Sequence, residues 1–254
     1  MRGVVGDRDD GVVHLDAPAP FRFRYLPGTG PRLVISFSGV GEGRPPEPPI
    51  EFRRSASEGG RNHVLFVTDV TRSWLTAPDA VPMLASAIGR IEDGLGTEST
   101  AMVGNSMGGY MALRLAAPVG ADSVLAIAPQ YSPHERFVPG ERRWRYYRRR
   151  LPVSPADRIE RIETGVGLMT ILHGDHRMER IHAERFPRAR GVRHLILPGG
   201  DHHIARELKH AGTLDRIVSL AVARKPVRLV RLLKRHGFVF ADRRVHDSPV
   251  PRAA

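Results

Sequence analysis

The segment Thr100–Leu113 reads TAMVGNSMGGYMAL, and it decides the fold of the chain. Its apolar start predicts a strand, and the small-residue amphipathic run after Gly108 predicts a helix. Between them lies a G-x-S-x-G pattern, Gly104–Gly108, centred on Ser106. Glycines two residues before and after a serine allow the tight, strained strand-to-helix turn called a nucleophile elbow. The pattern predicts Ser106 as a nucleophile, and the alternative is a glycine-rich turn whose serine only caps the helix.

Outward from this turn, short β-branched apolar runs alternate with amphipathic runs, which predicts a mostly parallel sheet with helices on both faces. The predicted strands are Val12–Leu15, Arg22–Leu26, Leu33–Phe37, Val64–Thr68, Thr100–Val103, Ser123–Ala128, Leu168–Leu172 and Arg193–Leu197. The predicted helices are Ala80–Gly94, Met107–Ala117, Met178–Phe186 and Ile204–Ala223. The fold class is therefore α/β.

The composition is that of a globular protein of 254 residues, with 41% hydrophobic residues and no cysteine. Without cysteine, a disulfide framework or a thiolate site is excluded. The net charge of +12 comes almost wholly from arginine, since only three of the 39 basic residues are lysine. Such a bias also arises from a coding sequence rich in G and C, so the charge makes no strong case for a nucleic-acid partner. No apolar run approaches the roughly 18 residues of a membrane span, and the charged N-terminus does not resemble a secretory signal, so we expect a cytoplasmic protein.

The elbow and its context resemble the α/β-hydrolase superfamily, over roughly Arg22 to Ala223. More narrowly, the elbow followed by Ala126–Gln130 (AIAPQ) resembles a bacterial group of mostly uncharacterised hydrolases, some of them associated with surface-glycan proteins. The resemblance implies an α/β-hydrolase fold with a small cap after the sixth strand.

The family order of nucleophile, acid after strand seven and histidine after strand eight implies two further residues. His202 follows the eighth strand and fits the family pattern of Gly-x-x-His before a helix, with His203 as an alternative. Asp175 is chosen as the acid because it lies closest to the end of the seventh strand, and Glu179 is the nearest other carboxylate. The expected triad is Ser106, His202 and Asp175.

The same resemblance implies two backbone N–H donors for an oxyanion, those of Met107 and Val40. Val40 belongs to the loop after the third strand, in which Ser38-Gly39 replaces the family's His-Gly. Possible substrate-binding residues are Ser38, Gly39, Trp74, Arg145 and Tyr146. Trp74 could equally fill the core.

Other interpretations of the same loops remain. Several histidines and aspartates follow strands seven and eight, in the segments His173–His176 and Asp201–His203. They are numerous enough to supply the ligands of a zinc or di-metal site. The ligand spacing of a metallohydrolase is missing, so no metal and no cofactor are predicted.

Two basic stretches lie outside the motif. Arg142–Arg150 holds six arginines and three aromatic residues in nine positions, within a cap expected at about 131–160. It predicts either a lid that recruits an anionic or glycan substrate or a solvated helix. The second stretch, Arg224–Arg235, is an amphipathic helix that either contacts a polyanion or anionic lipid or packs on the parent domain. We expect a hydrolase domain at 1–223 and a basic helix with a flexible tail at 224–254.

Together these features predict a serine hydrolase acting on an acyl ester, as a carboxylesterase or a deacylase of a small polar or glycan substrate, either neutral or anionic. A thioesterase, peptidase or acyltransferase would use the same machinery. The alternative of another class is a non-catalytic binding or assembly protein that keeps the fold and uses its basic surface. The sequence leaves the oligomeric state open.

Overall fold

The computed structural model describes residues 11–162 and 167–241, and within these residues the chain forms one nine-stranded sheet. The strands are β1 (Val13–Leu15), β2 (Phe21–Leu26), β3 (Arg32–Phe37), β4 (His63–Asp69), β5 (Ser99–Asn105), β6 (Ser123–Ile127), β7 (Leu168–Gly174), β8 (Val192–Leu197) and β9 (Val239–Phe240). Each of the eight predicted strands is present, and β9 was not predicted.

The sheet has the strand order β1-β2-β4-β3-β5-β6-β7-β8-β9. Strands β3 to β8 run parallel to one another, whereas β1, β2 and β9 pair antiparallel at the two edges. The carboxyl ends of the parallel strands meet at one edge of the sheet, where open α/β sheets bind ligands.

Eight helices of the described residues connect and cover these strands. They are α1 (Arg53–Ser57), α2 (Ala80–Leu95), α3 (Met107–Val119), α4 (Arg145–Arg148), α5 (Arg177–Ala183), α6 (Ile204–His210), α7 (Leu214–Val222) and α8 (Pro226–Arg235). Helices α2 and α3 pack together over one face, and α1, α7 and α8 pack together over the other.

The central strands are buried on both faces because helices cover both. In β3, Leu33 and Ile35 belong to the core on the α2–α3 side, and Val34 belongs to the core on the α7 side. Alternation of side chains along a strand produces this division. It also explains why these strands appear in the sequence as continuous apolar runs.

One predicted helix is wrong in extent. The run Ile204–Ala223 forms two helices, α6 and α7, separated at Gly212. Gly212 has φ of +67°, a left-handed conformation that ends a helix and that glycine adopts without steric cost. The amphipathic period continues across the break, which is why the sequence pattern alone indicated one helix.

The basic C-terminal helix is part of the same structural unit as the sheet. Leu229 and Leu233 of α8 are buried against α7, and β9 adds to the sheet beside β8. The helix predicted after residue 223 therefore packs on the sheet-bearing part of the chain. The predicted tail beyond residue 241 lies outside the described residues.

Candidate active site

Ser106 lies at the turn between β5 and α3, with φ of 56° and ψ of −121°. This strained backbone is possible because of the flanking glycines. A Cβ on Gly104 would lie 2.2 Å from the backbone of Gly108, and a Cβ on Gly108 would lie 2.2 Å from the carbonyl oxygen of Phe37. The G-x-S-x-G spacing thus lets the helix approach both its own strand and the loop after β3. It holds the serine at the carboxyl edge of the sheet.

His202 reaches this serine from the loop between β8 and α6. Its Nε2 lies 2.9 Å from Ser106 Oγ, and its Nδ1 lies 2.9 Å from Glu179 Oε1 in the first turn of α5. Glutamate at Nδ1 fixes the imidazole so that Nδ1–H donates and Nε2 accepts the serine hydroxyl. The three side chains therefore form a continuous hydrogen-bonded chain from carboxylate to hydroxyl.

The structure corrects the expected acid, because the carboxylate at His202 Nδ1 is Glu179 and not Asp175. Asp175 Oδ1 accepts the backbone N–H of Gly199 at 2.6 Å, so this side chain holds the β8–α6 loop. Asp175 directly follows the end of β7, as expected. The longer side chain of Glu179, on the helix that follows, is the one that reaches the imidazole.

His203, the alternative base, lines the cleft, but it is His202 that forms the hydrogen bond with Ser106 Oγ. Its ring centroid lies 6.2 Å from that of His202, and its backbone N–H donates to Asp201 Oδ1 as the chain enters α6. Of the two histidines, His202 is the one brought to Ser106.

A buried ionic network lies behind Glu179, and the sequence analysis did not anticipate it. Arg143 donates to Glu179 Oε1 at 2.5 Å and to Glu141 Oε2 at 2.6 Å, and His182 Nε2 donates to Glu141 Oε2 at 2.7 Å. His182 is neutral in this arrangement, since its Nδ1 accepts the N–H of Tyr131. The network ties α5 to the segment after β6.

The charges of this network keep both glutamates ionised. Burial alone would raise the pKa of Glu179, but the hydrogen bond from His202 and the charges of His202 and Arg143 lower the pKa to about 2. Burial likewise opposes ionisation of Glu141, yet hydrogen bonds from His182 and Arg143 lower its pKa to about 2. A carboxylate that stays charged stabilises a protonated imidazole beside it.

Trp144 covers the histidine from the same segment. Its ring centroid lies 4.9 Å from that of His202, and the guanidinium of Arg143 lies 4.7 Å above the indole ring. Trp144 also lines the cleft, so the segment between β6 and β7 forms part of the cover of the site.

A second buried polar contact reaches Ser106 from the end of β6. Gln130 Nε2 donates to Ser106 Oγ at 2.9 Å, and Trp74 Nε1 donates to Gln130 Oε1 at 3.1 Å. Trp74 is fully buried, which corrects its prediction as a substrate-binding residue. It supports the site from within the core.

The loop after β3 lies beside the elbow, and its residues are buried. Gly39 and Val40 line the cleft, whereas Ser38, a predicted substrate-binding residue, does not line it and has its Oγ 3.1 Å from Thr68 Oγ1. Glu51 Oε1 accepts the N–H of Gly39 at 3.1 Å.

Arg72 holds the glycine- and proline-rich segment that continues this loop. The guanidinium is buried and donates to the carbonyl oxygens of Val40, Pro45, Pro46 and Val70. Hydrogen bonds from one arginine to four carbonyl oxygens fix the backbone next to Val40, and they do so without a carboxylate partner for the guanidinium among the described residues.

The cleft above Ser106 has a volume of about 600 Å³. Its polar lining comprises Glu42, Glu47, Glu51, Asn105, His203 and Arg206, beside Ser106 and His202. Glu42 pairs with Arg206 at 3.4 Å, and Glu47 pairs with Arg24 at 2.5 Å. Burial raises the pKa of Glu51 to about 7, although the hydrogen bond from Gly39 lowers it. The lining is thus richer in carboxyl groups than in cations.

Arg145 and Tyr146, which were predicted to bind substrate, lie outside the lining of the cleft. Arg145 pairs with Glu135 at 3.5 Å, and Tyr146 is half exposed between the guanidinium groups of Arg44 and Arg150. Neither residue lines the cleft. The residue of this segment that does so is Trp144.

The residues of the metal hypothesis do not converge on one point. His173 is buried and donates from Nε2 to the carbonyl oxygen of Pro129, which leaves Nδ1 to accept from His194. Burial lowers the pKa of His173 to about 4, against the charge of Glu179, which raises it. Within residues 11–162 and 167–241, no group of three or more histidine or carboxylate side chains is arranged to hold a metal ion.

Comparisons with known proteins agree on the fold. No protein-family model and no curated protein matches the chain. Solved structures that it resembles include the capsule O-acetyltransferase of Neisseria meningitidis serogroup A (TM-score 0.57, 16% identity, 83% of this chain and 97% of that chain). They also include an α/β serine hydrolase without lid from Xanthomonas campestris (TM-score 0.52, 16% identity, 87% and 97%) and Est1E from Butyrivibrio proteoclasticus (TM-score 0.56, 13% identity, 86% and 100%).

This chain therefore has the α/β-hydrolase fold, with the mostly parallel sheet that the sequence predicted. None of the described helices is long and apolar enough to cross a membrane.

Proposed function

We propose that this α/β-hydrolase-fold protein is a serine hydrolase that cleaves acyl esters through Ser106, His202 and Glu179. The observation that carries the proposal is the hydrogen-bonded chain of these three side chains, with 2.9 Å at each step, on a strained elbow at the carboxyl edge of the sheet. Such a constellation is recognised by geometry and roles rather than by sequence position.

In acylation, His202 Nε2 takes the proton of Ser106 as Oγ attacks the acyl carbonyl carbon. The carbonyl oxygen gains negative charge, and the backbone N–H groups of Met107 and Val40 donate to it. Met107 is the first residue of α3, where N–H groups lack partners within the helix. His202 then gives the proton to the leaving alkoxide, and the acyl group stays on Ser106.

In deacylation, His202 takes a proton from water, and the hydroxide attacks the acyl-enzyme. The bond from the acyl carbon to Oγ breaks, and Oγ recovers its proton from His202. Glu179 remains ionised throughout and stabilises the imidazolium in both halves. Its position between His202 and Arg143 favours this role, since a carboxylate of low pKa does not take the proton itself.

For the substrate, we propose a neutral polar ester, such as an acylated sugar or another small hydroxylic compound. The cleft is lined by three glutamates, and the arginines of Arg142–Arg150 contact other parts of the protein or solvent. Carboxyl groups accept hydrogen bonds from hydroxyl groups. The arginine of the lining, Arg206, is paired with Glu42 and is therefore not available to an anionic acyl chain. The anionic substrate that the sequence suggested is therefore not favoured.

The proposed activity is tested with a fluorophosphonate probe, which phosphonylates an activated serine. We expect the wild type to be labelled and Ser106→Ala to be unlabelled. Ser86→Ala, on the exposed surface of α2, is the matched control and should label like the wild type. A wild type that the probe does not label would favour a non-catalytic binding protein of the same fold.

A further inference from the structure

Gln130 is a polar side chain that contacts the nucleophile and to which the triad mechanism assigns no role. It follows β6 by a few residues and is 2% exposed, and its Nε2 lies 2.9 Å from Ser106 Oγ. Burying an amide is unfavourable unless its hydrogen bonds are made. Both ends of this amide have partners, and one partner is the nucleophile.

Trp74 determines which end of the amide faces the serine. An indole N–H can only donate, and Trp74 Nε1 lies 3.1 Å from the Gln130 side chain. The oxygen of Gln130 must therefore point to Trp74, and its NH₂ group must point to Ser106. Since Trp74 is fully buried in the core, its hydrogen bond fixes this orientation of the Gln130 amide.

The direction of each hydrogen bond at Ser106 follows from the histidine. His202 Nδ1–H donates to Glu179, so Nε2 carries the lone pair and accepts the serine proton. The Gln130 N–H therefore donates to a lone pair of Oγ. A hydroxyl oxygen has two lone pairs, so one remains for attack on a carbonyl carbon.

We propose that Gln130 is a catalytic residue that stabilises negative charge on Oγ itself, a role distinct from that of the oxyanion donors. This inference rests on the proposed function. When Oγ loses its proton to His202 in acylation, electron density rises on Oγ, and the Gln130 N–H strengthens its hydrogen bond to it. When the bond from Oγ to the acyl carbon breaks in deacylation, the electron pair returns to Oγ, and the same N–H stabilises the leaving oxygen until His202 reprotonates it.

The kinetic test is Gln130→Met, which keeps the length of the side chain but removes the donor. We expect kcat for a chromogenic ester to fall about 10- to 100-fold, with KM little changed. This is less than the loss of a full oxyanion donor because the hydrogen bond already exists before reaction. Both the rate of the acylation burst and the steady-state rate should fall, since Oγ gains negative charge in acylation and again in deacylation. Wild-type values of both rates would overturn the inference.

The control removes an alternative cause of that loss. Gln130→Met leaves the buried Trp74 N–H without its acceptor, which alone destabilises a core. The double variant Trp74→Phe/Gln130→Met removes that unpaired donor as well. We expect the double variant to regain thermal stability but to stay slow. Recovery of wild-type kcat in the double variant would show that Gln130 acts only through the core, and it would overturn the inference.

A spectroscopic test is independent of turnover, because Gln130 is the only glutamine in the chain. With side-chain ¹⁵N-glutamine labelling, the protein has one pair of glutamine NH₂ signals. We expect Ser106→Ala to shift one proton of the pair and Ser86→Ala to shift neither. Unmoved signals in Ser106→Ala would overturn the inference. Probe labelling of the wild type tests the proposed function separately, since a labelled wild type with an unaffected Gln130→Met would refute only the role of Gln130.

Discussion

Glu179 and His202 are joined by a 2.9 Å hydrogen bond between Oε1 and Nδ1, and the same carboxylate oxygen also accepts from Arg143. This carboxylate is therefore shared between the histidine that contacts Ser106 and a cation held in the segment after β6.

The first prediction concerns the acid. Glu179→Gln should lower kcat by roughly 10³- to 10⁴-fold, because an amide neither stabilises the imidazolium nor holds Nδ1 in its protonated form. Asp175→Asn is the matched control, and it should keep most of the activity, since Asp175 contacts the backbone of Gly199. Steady-state kinetics of both variants decide the question, and a larger loss in Asp175→Asn would restore Asp175 as the acid.

The second prediction separates the two adjacent histidines. His202→Ala should abolish rapid labelling by a fluorophosphonate, because no base then accepts the proton of Ser106. His203→Ala should label at a rate near that of the wild type, since its ring lines the cleft without a hydrogen bond to Oγ. Time courses of labelling provide the measurement. Equal loss in both variants would contradict this assignment.

The third prediction concerns stability in acid. The pKa of Glu141 falls from 4.5 to about 2 in the folded protein. The contribution of this group to the free energy of unfolding is therefore complete above pH 4.5 and is lost as the pH falls towards 2. Glu179 behaves in the same way. The free energy of unfolding should therefore decrease steeply between about pH 4.5 and pH 2.

Glu141→Gln tests the source of that decrease. The variant should be less stable than the wild type at pH 7, because Arg143 and His182 lose a charged partner. The difference should shrink as the pH approaches 2. Denaturant titrations at pH 7, 4 and 3 measure it, and a difference that does not change with pH would argue against an ionised Glu141.

The fourth prediction concerns substrate charge. A neutral nitrophenyl acetate should have a higher kcat/KM than the nitrophenyl monoester of succinate, whose free carboxylate meets the glutamates of the cleft. Glu47→Gln should narrow that preference. Arg145→Gln should leave it unchanged, because Arg145 lies outside the cleft. A reversed preference in the wild type, abolished by Arg145→Gln, would instead support a basic lid over the site.

The sequence predicted the parts of this site that depend on local structure. The elbow is local, since Gly104, Ser106 and Gly108 determine the backbone of one turn. The position of His202 after the last parallel strand is also local, because it follows from where β8 ends. Strand positions were predicted well because continuous apolar runs mark strands that are covered on both faces.

The choice between Asp175 and Glu179 could not be made from the sequence, because it depends on contacts between distant segments. Asp175 is nearer to the strand end, but it is used to hold Gly199, and Glu179 is selected by Arg143 from a segment 36 residues away. The one local sign was the position of Glu179 in the first turn of a helix, where a carboxylate is favoured by the helix dipole. The contact between Gln130 and Trp74 could likewise not be predicted from the sequence, since it joins residues 56 positions apart.

The cluster formed by Glu141, Arg143 and Trp144 has a consequence for how the proposed enzyme could diversify. In a lid that only selects substrates, exchanging the segment would change specificity and leave the reaction intact. Here the segment that covers the cleft also supplies the counter-charge of the acid and the aromatic surface against the base. A graft of a foreign cap would therefore need to retain these three positions. New specificities are more accessible through Glu42 and Glu47 of the cleft lining, which form ion pairs with Arg206 and Arg24.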